Sequence, residues 1–452
     1  MENSENQNQP QTNFFQSTTA KMIMVGVLTL FLLIPLEYVK NLISERSERK
    51  EEVVNEVTEL WGKDVHFYGP TLRIPYKTYS ETSVVDAKTK QVQIQKTAYT
   101  NYSYFFPEQL KNKSNIKKNT SLKRGLYNNV VFTANMAFDG YFGKPNFEKL
   151  QIKAEDVLWD KAVIIVKTSN LKSIKSDLNI KLNNQTFVFE SKAQEDKFYG
   201  ELETNAFDYN TLKSGENINF NFPMQYNGSN SVKFIPVGKT TTVNIDSDWE
   251  SPSFEGSFAA NTDSKTINKQ GFHADWKVLH INRPFAQEHL EKMPNLNEFL
   301  FGVKLIETVD EYQQNERASK YGFLVIGLTF LIFFLIQSIS KISIHIFQYS
   351  MIGLALIMFY TLLISITEHS SFSLAYIIAA ISVIVMIVLY SFSILKIKKF
   401  PLFIGASLTA LYTFIFVIIQ LENYALLVGS IGLFLILGAV MYFSRKIDWK
   451  NN

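Results

Sequence analysis

The sequence predicts a membrane protein of the α+β class, with six transmembrane helices and a large, mainly antiparallel β domain outside the cytoplasm. The charge distribution is the first reason. Residues 321–452 contain only seven Lys or Arg and three Asp or Glu, whereas residues 37–320 contain 37 basic and 37 acidic residues. The second reason is periodicity, because the charged block alternates like β-strands while the apolar block holds stretches of membrane-spanning length. We expect the β domain to be a sandwich of two sheets.

The first span is predicted at residues 22–38, after a cytoplasmic tail of residues 1–21. Its apolar run covers residues 22–36 and is shorter than the roughly 20 residues that a spanning helix needs. Lys21 extends the usable length, because its side chain can reach the membrane interface. No small-residue cleavage pattern follows the run, so we expect an uncleaved signal anchor.

Residues 39–62 are predicted to continue this span as a juxtamembrane helix. Apolar residues recur there in a patchy helical pattern, a dense run of charges extends from Glu45 to Glu52, and Gly62 is a usual helix stop. A solvated stalk is the simpler interpretation, since charge runs commonly mark solvated faces. A helix that docks a partner is the alternative.

The β-rich domain is predicted to cover residues 63–320. Seven segments in it alternate β-branched or aromatic residues with polar ones, as half-buried strands do. These segments are residues 71–76, 91–97, 130–135, 162–167, 186–190, 218–222 and 243–245. A domain of this size can bury a sizeable core without disulfides.

Two further local patterns lie in the β-rich domain. The turn sequence Asn227-Gly228-Ser229 favours a β-hairpin between residues 222–226 and 231–237. Helical patterns are scarce and are confined to residues 286–293 and to the final approach to the membrane.

Five apolar stretches follow the β domain and predict a bundle at residues 321–443. They are residues 321–336, 346–366, 372–395, 400–420 and 424–443. Residues 444–452 form a second polar tail. Together with the N-terminal anchor these stretches make six spans, which places both tails on the same side of the membrane.

The basic residues in the tails and short connections determine the orientation of the spans. With the N-terminus in the cytoplasm, all of these residues lie inside: Lys21, Lys341, Lys396, Lys398, Lys399, Arg445, Lys446 and Lys450. The short loops on the other side then hold only Glu368, His369 and Glu422 as charged or titratable residues. We therefore expect cytoplasmic termini and a β domain on the far side of the membrane.

The sequence contains almost no catalytic or cofactor motif. Cysteine is absent, which excludes disulfides and thiol chemistry. The histidines form no compact metal-ligand spacing; they are His66, His273, His280, His289, His345 and His369. Phosphate-binding glycine loops are absent, and no basic run interleaved with aromatics indicates nucleic acid. We therefore predict no enzyme activity, no cofactor, no metal site and no nucleic-acid partner.

One candidate site remains, at the outer ends of the spans. This polar seam consists of Glu37, Glu368, His369, Gln420, Glu422 and Tyr424. The predicted topology places all six residues at one leaflet, facing the β domain. Ordinary loop polarity is the simpler explanation. The functional hypothesis is a seam that docks the β domain onto the helices and that His369 makes pH-sensitive.

Several long strings resemble the CreD family of inner-membrane proteins, also called colicin E2 tolerance proteins. In the β domain they are WGKDVHFYGPTLRIPY (61–76), RGLYNNVVFTANMAFDGYF (124–142), SFEGSF (253–258), GFHADWKVLHINR (271–283) and FGVKLIETVDEYQQNERASKYG (301–322). In the membrane half they are QYSMIGLALIMFYTLLISITEH (348–369), FSLAYIIAA (372–380), QLENYALLVGS (420–430) and MYFSRKIDW (441–449). The resemblance covers nearly the whole chain in order, apart from the Asn- and Gln-rich tail at residues 2–13.

The resemblance implies a bacterial inner-membrane protein tied to cell-envelope integrity and the envelope stress response, with its β domain in the periplasm. It supplies no biochemical activity and no catalytic or ligand residues to carry over. Within the first string, Gly69-Pro70 and Pro75 are expected to bracket a strand and to fix its ends.

Several function hypotheses follow. The leading one is a non-enzymatic envelope protein whose periplasmic domain binds or supports a partner: another envelope protein, cell-wall material or an outer-membrane lipid. The alternative is a transporter or exporter of an apolar or lipid-like substrate, which six spans without buried charge permit. A hydrolase acting through Glu368, His369 and Glu422 is the weakest hypothesis. A sensor role would lack a signalling domain, because the cytoplasmic loops are too short to hold one. The sequence leaves the oligomeric state open.

Overall fold

The computed structural model describes residues 18–85, 92–124, 127–192, 198–212, 217–305, 311–340, 342–395, 397–421 and 424–445. These residues fall into two compact units. Those within Val53–Thr308 form the β unit, and those within Met1–Glu52 and Val309–Asn452 form the helix unit.

Six helices in the described part of the chain are long and apolar enough to cross a membrane, as the sequence predicts. The α-helices are α1 Thr18–Trp61, α2 Tyr209–Leu212, α3 Glu311–Lys320, α4 Gly322–Ser340, α5 Ile346–Thr367, α6 Phe372–Ile394, α7 Lys399–Gln420 and α8 Ala425–Ser444. The six candidate spans are α1 and α4 to α8, whereas α2 is a single turn and α3 is short and polar.

Helix α1 runs without a break through the charged segment that follows its apolar part. It ends at Trp61, where Gly62 adopts a φ of 127° and its N–H donates to the carbonyl oxygen of Thr58 at 2.7 Å. Glycine tolerates this backbone conformation, which is why it ends the helix. Leu36 and Ile43 are buried, so this part of α1 packs within the helix unit.

The helix unit has its core between α4, α5, α6 and α7. Each of these four helices contributes a fully buried apolar side chain: Phe333, Leu356, Val383 and Leu408. Helix α8 differs, because none of its residues, all of which the structure describes, is buried. Among the described helices, only α7 makes extensive contacts with α8. Most of the surface of α8 therefore faces the surroundings.

The strands of the β unit form one continuous hydrogen-bonded network. They are β1 Asp64–Val85, β2 Val92–Phe105, β3 Gln109–Arg124, β4 Tyr127–Phe142, β5 Val163–Thr168, β6 Asn179–Leu182, β7 Gln185–Ser191, β8 Gly200–Thr204, β9 Ile218–Gly228, β10 Ser231–Phe234, β11 Thr240–Ser247, β12 Pro252–Gly256, β13 Thr266–Asn268, β14 Gly271–Leu279, β15 Glu288–Leu290 and β16 Phe301–Leu305. The order of neighbours is β12-β16-β10-β1-β5-β8-β7-β6-β9-β4-β3-β11-β14-β13, with β2 paired to β1 and β15 paired to β2. Only β1 with β10 and β3 with β11 pair in parallel among these described ladders.

The network forms two facing layers, which confirms the predicted mainly antiparallel β architecture. Strand β7 joins the layers at one edge, since it pairs with β6 on one side and β8 on the other. Across the layers, the rings of Phe67 on β1 and Phe138 on β4 stack at 4.1 Å. Phe138 also stacks on Phe222 of β9 at 4.8 Å, so aromatic rings fill the space between the layers.

The predicted hairpin around Asn227 is wrong, although the turn is present. Strand β9 pairs with β4 and β6, whereas β10 pairs with β1 and β16 in the other layer. A distant residue stabilises the turn, because the N–H groups of Ser229 and Asn230 donate to the carbonyl oxygen of Lys63. Burial of Val232 and Phe234 in the opposite layer decides which strand β10 joins.

Two other local predictions also fail. Residues 286–293 are not helical, because Glu288–Leu290 forms β15 on the edge of β2. Gly69-Pro70 and Pro75 do not bracket a strand, since β1 continues through all three; its pairing register with β5 shifts between Tyr68 and Thr71 instead. In both cases a long-range strand partner outweighs the local pattern.

Candidate functional site

The predicted polar seam lies in the helix unit, and Glu368 has the clearest contact there. Glu368 follows the last turn of α5, is largely buried, and faces the guanidinium of Arg46 on α1, with 3.6 Å between Oε1 and Nε. The sequence analysis did not include Arg46 in the seam. This ion pair attaches the charged part of α1 to the turn between α5 and α6.

Further polar contacts involve α1, α3 and α5. Asn315 on α3 is fully buried, and its side-chain amide donates to the carbonyl oxygen of Glu311 at 2.9 Å. The hydroxyl of Thr367, next to Glu368, lies 3.5 Å from the Asn315 amide oxygen. Lys50 of α1 places its ammonium 5.5 Å from the ring centre of Tyr312 on α3. Polar contacts therefore link α3 to both α1 and α5.

The remaining seam residues do not converge on Glu368 in the described structure. Glu37 is exposed and pairs with Lys40 one turn along α1, at 3.1 Å. Gln420 donates to the hydroxyl of Ser373 at 3.3 Å, which brings the end of α7 beside the start of α6. His369 and Tyr424 are exposed, and Glu422 lies outside the described residues. The docking role of the seam stays a prediction.

A second polar site, which the sequence analysis did not identify, lies in the β unit. It is a cleft of about 490 Å³ between the end of α1, the start of β1, and the segments before β8 and β16. We call it the polar cleft; its lining residues are Thr58, Glu59, Lys63, Asp64, His66, Ser169, Asn170, Phe198, Tyr199, Asn297 and Leu300. Its volume is in the range of small-ligand pockets.

One wall of the polar cleft is fixed by hydrogen bonds to the start of β1. The hydroxyl of Ser169 donates to the carbonyl oxygen of Asp64 and accepts from the N–H of His66 at 3.0 Å. The carboxylate of Asp64 accepts from the Asn230 amide at 2.8 Å and from the Ser231 hydroxyl at 2.5 Å. These bonds hold the wall in one conformation without a ligand.

A buried tyrosine supports the adjoining loop. The hydroxyl of Tyr226 donates to the carbonyl oxygen of Asn170 and accepts from the Asn170 N–H and from the Thr168 hydroxyl, both at 2.9 Å. Burial raises the pKa of Tyr226, so it stays a neutral hydrogen-bonding group. The loop after β5 is therefore braced by the opposite layer of the sandwich.

The imidazole of His66 is the main uncommitted polar group of the cleft. It is half-buried and has no hydrogen-bond partner among the described residues. Burial is the largest cause that lowers the pKa of His66, and Lys233 lowers it further against the opposing effect of Asp64. The ring is therefore neutral at pH 7 and offers one donor and one acceptor to a ligand.

Aromatic side chains form the other wall. Tyr199 is buried, and its hydroxyl donates to the side-chain oxygen of Asn297. Its ring meets the ring of Tyr68 edge-on at 6.2 Å between centres, while Phe198 is 70% exposed. An aromatic face beside neutral donors and acceptors suits a polar, uncharged ligand.

The described residues do not assemble a catalytic or metal centre at either site. The Ser169 hydroxyl already donates to a backbone oxygen, so its proton is not directed at His66. No group of three or more His, Asp or Glu among the described residues could hold a metal ion. Lys63, Asp64 and His66 lie in the string of residues 61–76, which is the one sequence signal that could have indicated the polar cleft.

Comparisons with known proteins agree with this architecture. The sequence profile of the family described as inner membrane protein CreD matches residues 17–450. The inner membrane protein CreD of Escherichia coli (strain K12) is 25% identical over 437 residues, which are 95% of this chain and 93% of that protein. Among solved structures, a proposed nutrient-binding protein from Legionella pneumophila matches with a TM-score of 0.23 and 9% identity, covering 50% of this chain and 73% of its own. That likeness is too weak to carry an argument. The profile match over nearly the whole chain, together with six apolar helices, shows that the protein belongs to the CreD family of multi-pass inner membrane proteins.

Proposed function

We propose that the protein is a non-enzymatic component of the inner membrane that supports cell-envelope integrity and the envelope stress response. Its β unit lies in the periplasm and binds an envelope ligand, while both termini lie in the cytoplasm. The basic residues at one end of the spans support this orientation, since positive charges favour the cytoplasmic side. The acidic residues of the outer connections, Glu368 and Glu422, are consistent with it.

The observation that carries the binding role is the polar cleft. Its wall at the start of β1 is held by Ser169, and the His66 imidazole is left without a partner in the described structure. A preformed wall lowers the entropic cost of binding. The cleft is therefore organised for recognition rather than for bond cleavage.

The chemistry of the cleft favours a cell-wall glycan as the ligand. Sugars present many hydroxyl and amide groups that pair with neutral donors and acceptors such as His66 and Asn297. Their apolar faces pack on aromatic rings such as Phe198 and Tyr199. Lys63 at the rim pairs with Glu59 at 3.7 Å, so recognition does not depend on a charged ligand.

The test is a titration of the full-length protein, purified in detergent, with soluble muropeptides from digested cell wall. We expect saturable binding by calorimetry and at least a tenfold loss of affinity in His66→Gln. The matched control is His273→Gln, which changes a histidine of β14 outside the cleft. Absence of binding by the unmodified protein, or equal loss in both variants, would contradict the proposal.

A further inference from the structure

The helix unit contains an apolar groove. It has a volume of about 830 Å³ and runs between α4, α7 and α8. Apart from Lys399 and Ser407, all the residues that line it are apolar or glycine. A groove with this lining, inside a segment that spans a membrane, is surrounded by hydrocarbon and does not hold water.

The groove exists because small residues line α7 and α8 where the two helices meet. Ala410 of α7 and Ala439 of α8 both line it. At Gly432 a Cβ atom would come within 2.2 Å of the ring of Phe414, so the glycine allows that ring to lie across α8. Helix α8 packs on α7 but not extensively on α4, and this arrangement leaves the groove open along its length.

The groove is longer than the hydrocarbon of one leaflet and shorter than that of the whole bilayer. Its lining on α7 extends from Lys399 to Phe414, a separation of 15 residues. At 1.5 Å per residue this is about 22 Å. One leaflet contributes about 15 Å of hydrocarbon, so the groove spans the acyl region and reaches the level of the headgroup. It does not cross the membrane, and it therefore indicates binding rather than transport.

The charged end of the groove selects an anion. Lys399 is exposed at the start of α7 and has no ion-pair partner among the described residues. Besides Lys399, the connections before α5 and α7 and the segment after α8 contain six basic residues in the sequence and a single acidic one, Asp448. The other acidic residues of residues 321–452, Glu368 and Glu422, belong to the connections at the opposite end of the spans. A phosphate beside Lys399 would complement this charge.

We propose that the groove binds one anionic glycerophospholipid, with its acyl region against α4, α7 and α8 and its phosphate beside Lys399. A transmembrane helix from a second copy fits less well. With its side chains, a helix is about 10 Å across. An acyl chain is thinner and fits a narrow apolar channel.

The test uses the full-length protein, purified in a mild detergent and incubated with phosphatidylglycerol, and counts bound lipid by native mass spectrometry. We expect one retained lipid per chain and at least a fivefold lower retention in Lys399→Glu. The control is Lys398→Glu, which makes the same charge change one residue outside the groove and should keep retention within twofold of the unmodified protein.

A second pair of variants tests the groove itself. Ala439→Trp fills the groove and should abolish retention, whereas Leu437→Trp adds the same ring to another face of α8 and should not. Gel filtration checks that each variant is folded; Lys399→Glu alone decides the question if Ala439→Trp does not fold. Equal retention in all variants, or equal loss in Lys398→Glu and Lys399→Glu, overturns the proposal. A dimer without lipid that Ala439→Trp disrupts would also overturn it.

Discussion

The β unit and helix α8 of the helix unit place the same residue types in opposite positions. In the β unit, Phe67, Phe138 and Phe222 are at most 2% exposed between the two layers. In the helix unit, Phe434 and Leu426 of α8 are 75% and 88% exposed. The difference follows from the solvent, because apolar side chains avoid water but gain nothing by leaving lipid.

The two units are consequently stabilised by different interactions. Burial of aromatic rings drives the packing of the β unit. The helix unit depends more on close packing and hydrogen bonds between helices. There, the hydroxyl of Tyr349 on α5 donates to Gln337 of α4 at 3.0 Å, and that of Tyr376 on α6 donates to the backbone oxygen of Tyr412 on α7 at 2.8 Å.

Charged groups show the same contrast. The β unit encloses ion pairs within its layers, such as Arg73 with Glu203 at 2.7 Å. It also buries Arg283, which donates to the backbone oxygens of Val237 and Gly238, and burial lowers the pKa of Arg283 to about 10. The described ion pairs of the helix unit lie on α1, on α3 or at the end of α5. A charge can thus be buried in the β unit if it is paired or hydrogen-bonded, whereas the apolar helices exclude it.

The largest predicted effect tests the contrast between a buried phenylalanine in the β unit and an exposed one in α8. Phe138→Ala should lower the free energy of unfolding of the β unit by about 3–5 kcal/mol, because it removes a fully buried ring and leaves a cavity. Tryptophan fluorescence during urea unfolding in detergent measures this, since four of the five tryptophans, Trp61, Trp159, Trp249 and Trp276, belong to the β unit.

The matched variant is Phe434→Ala in α8, whose ring is mostly exposed. It should leave the thermal midpoint of the helix unit, followed by circular dichroism, nearly unchanged. A loss in Phe434→Ala as large as that in Phe138→Ala would show that the outer face of α8 is covered, and the comparison between the units would fail.

A smaller effect concerns the pH dependence of the β unit. Burial lowers the pKa of His66 and of His289 below the usual value of about 6.5 for an unfolded chain. When the pH falls through that value, the unfolded state therefore binds more protons than the folded state. The stability of the β unit consequently decreases on acidification. His66→Gln should flatten this decrease in urea titrations between about pH 8 and pH 5.

His289→Gln provides the comparison, because its effect should add to that of His66→Gln if the two rings titrate independently. A steeper dependence on pH in His66→Gln would contradict the inferred direction of the pKa shift.

The smallest predicted effect concerns the ion pair of the polar seam. Glu368→Ala and Arg46→Ala should each lower the stability of the helix unit by about 0.2–1 kcal/mol, since Arg46 is partly exposed to solvent. The double variant should lose no more than either single variant. His369→Ala should have no effect, because this side chain is exposed.

Thermal melting followed by circular dichroism measures these differences. Additive losses in Arg46→Ala and Glu368→Ala would show that the ion pair does not contribute. A large loss in His369→Ala would instead support the predicted docking role of the whole seam.

Local sequence patterns predict much of the fold but not the partners of its strands. The alternating segments at residues 130–135 and 218–222 lie inside β4 and β9, because one face of each strand is buried. The turn chemistry of Asn227-Gly228 is also real. The predicted pairing of the two strands around this turn was wrong. Burial of Phe234 in the opposite layer is a long-range effect, and no local pattern contains it.

The candidate sites also contain parts that local sequence predicts and parts that depend on long-range contacts. Glu368 was predicted from its position at the end of a span, whereas Arg46 was not, since 322 residues separate the two in the chain. The polar cleft combines the start of β1 with segments more than 100 residues away, at Ser169 and Asn297. A histidine such as His66 is indistinguishable from an ordinary one until those segments are placed beside it.

The sequence by itself determined which residues meet lipid and which meet water, because that depends only on the composition of contiguous segments. It also determined the period of strands such as β4 and β9 and the end of α1 at Gly62. Only the tertiary structure decided which strands pair, where His66 lies, and that α8 leaves a groove beside Lys399. These features depend on contacts between distant residues, whose geometry is fixed when the whole chain packs.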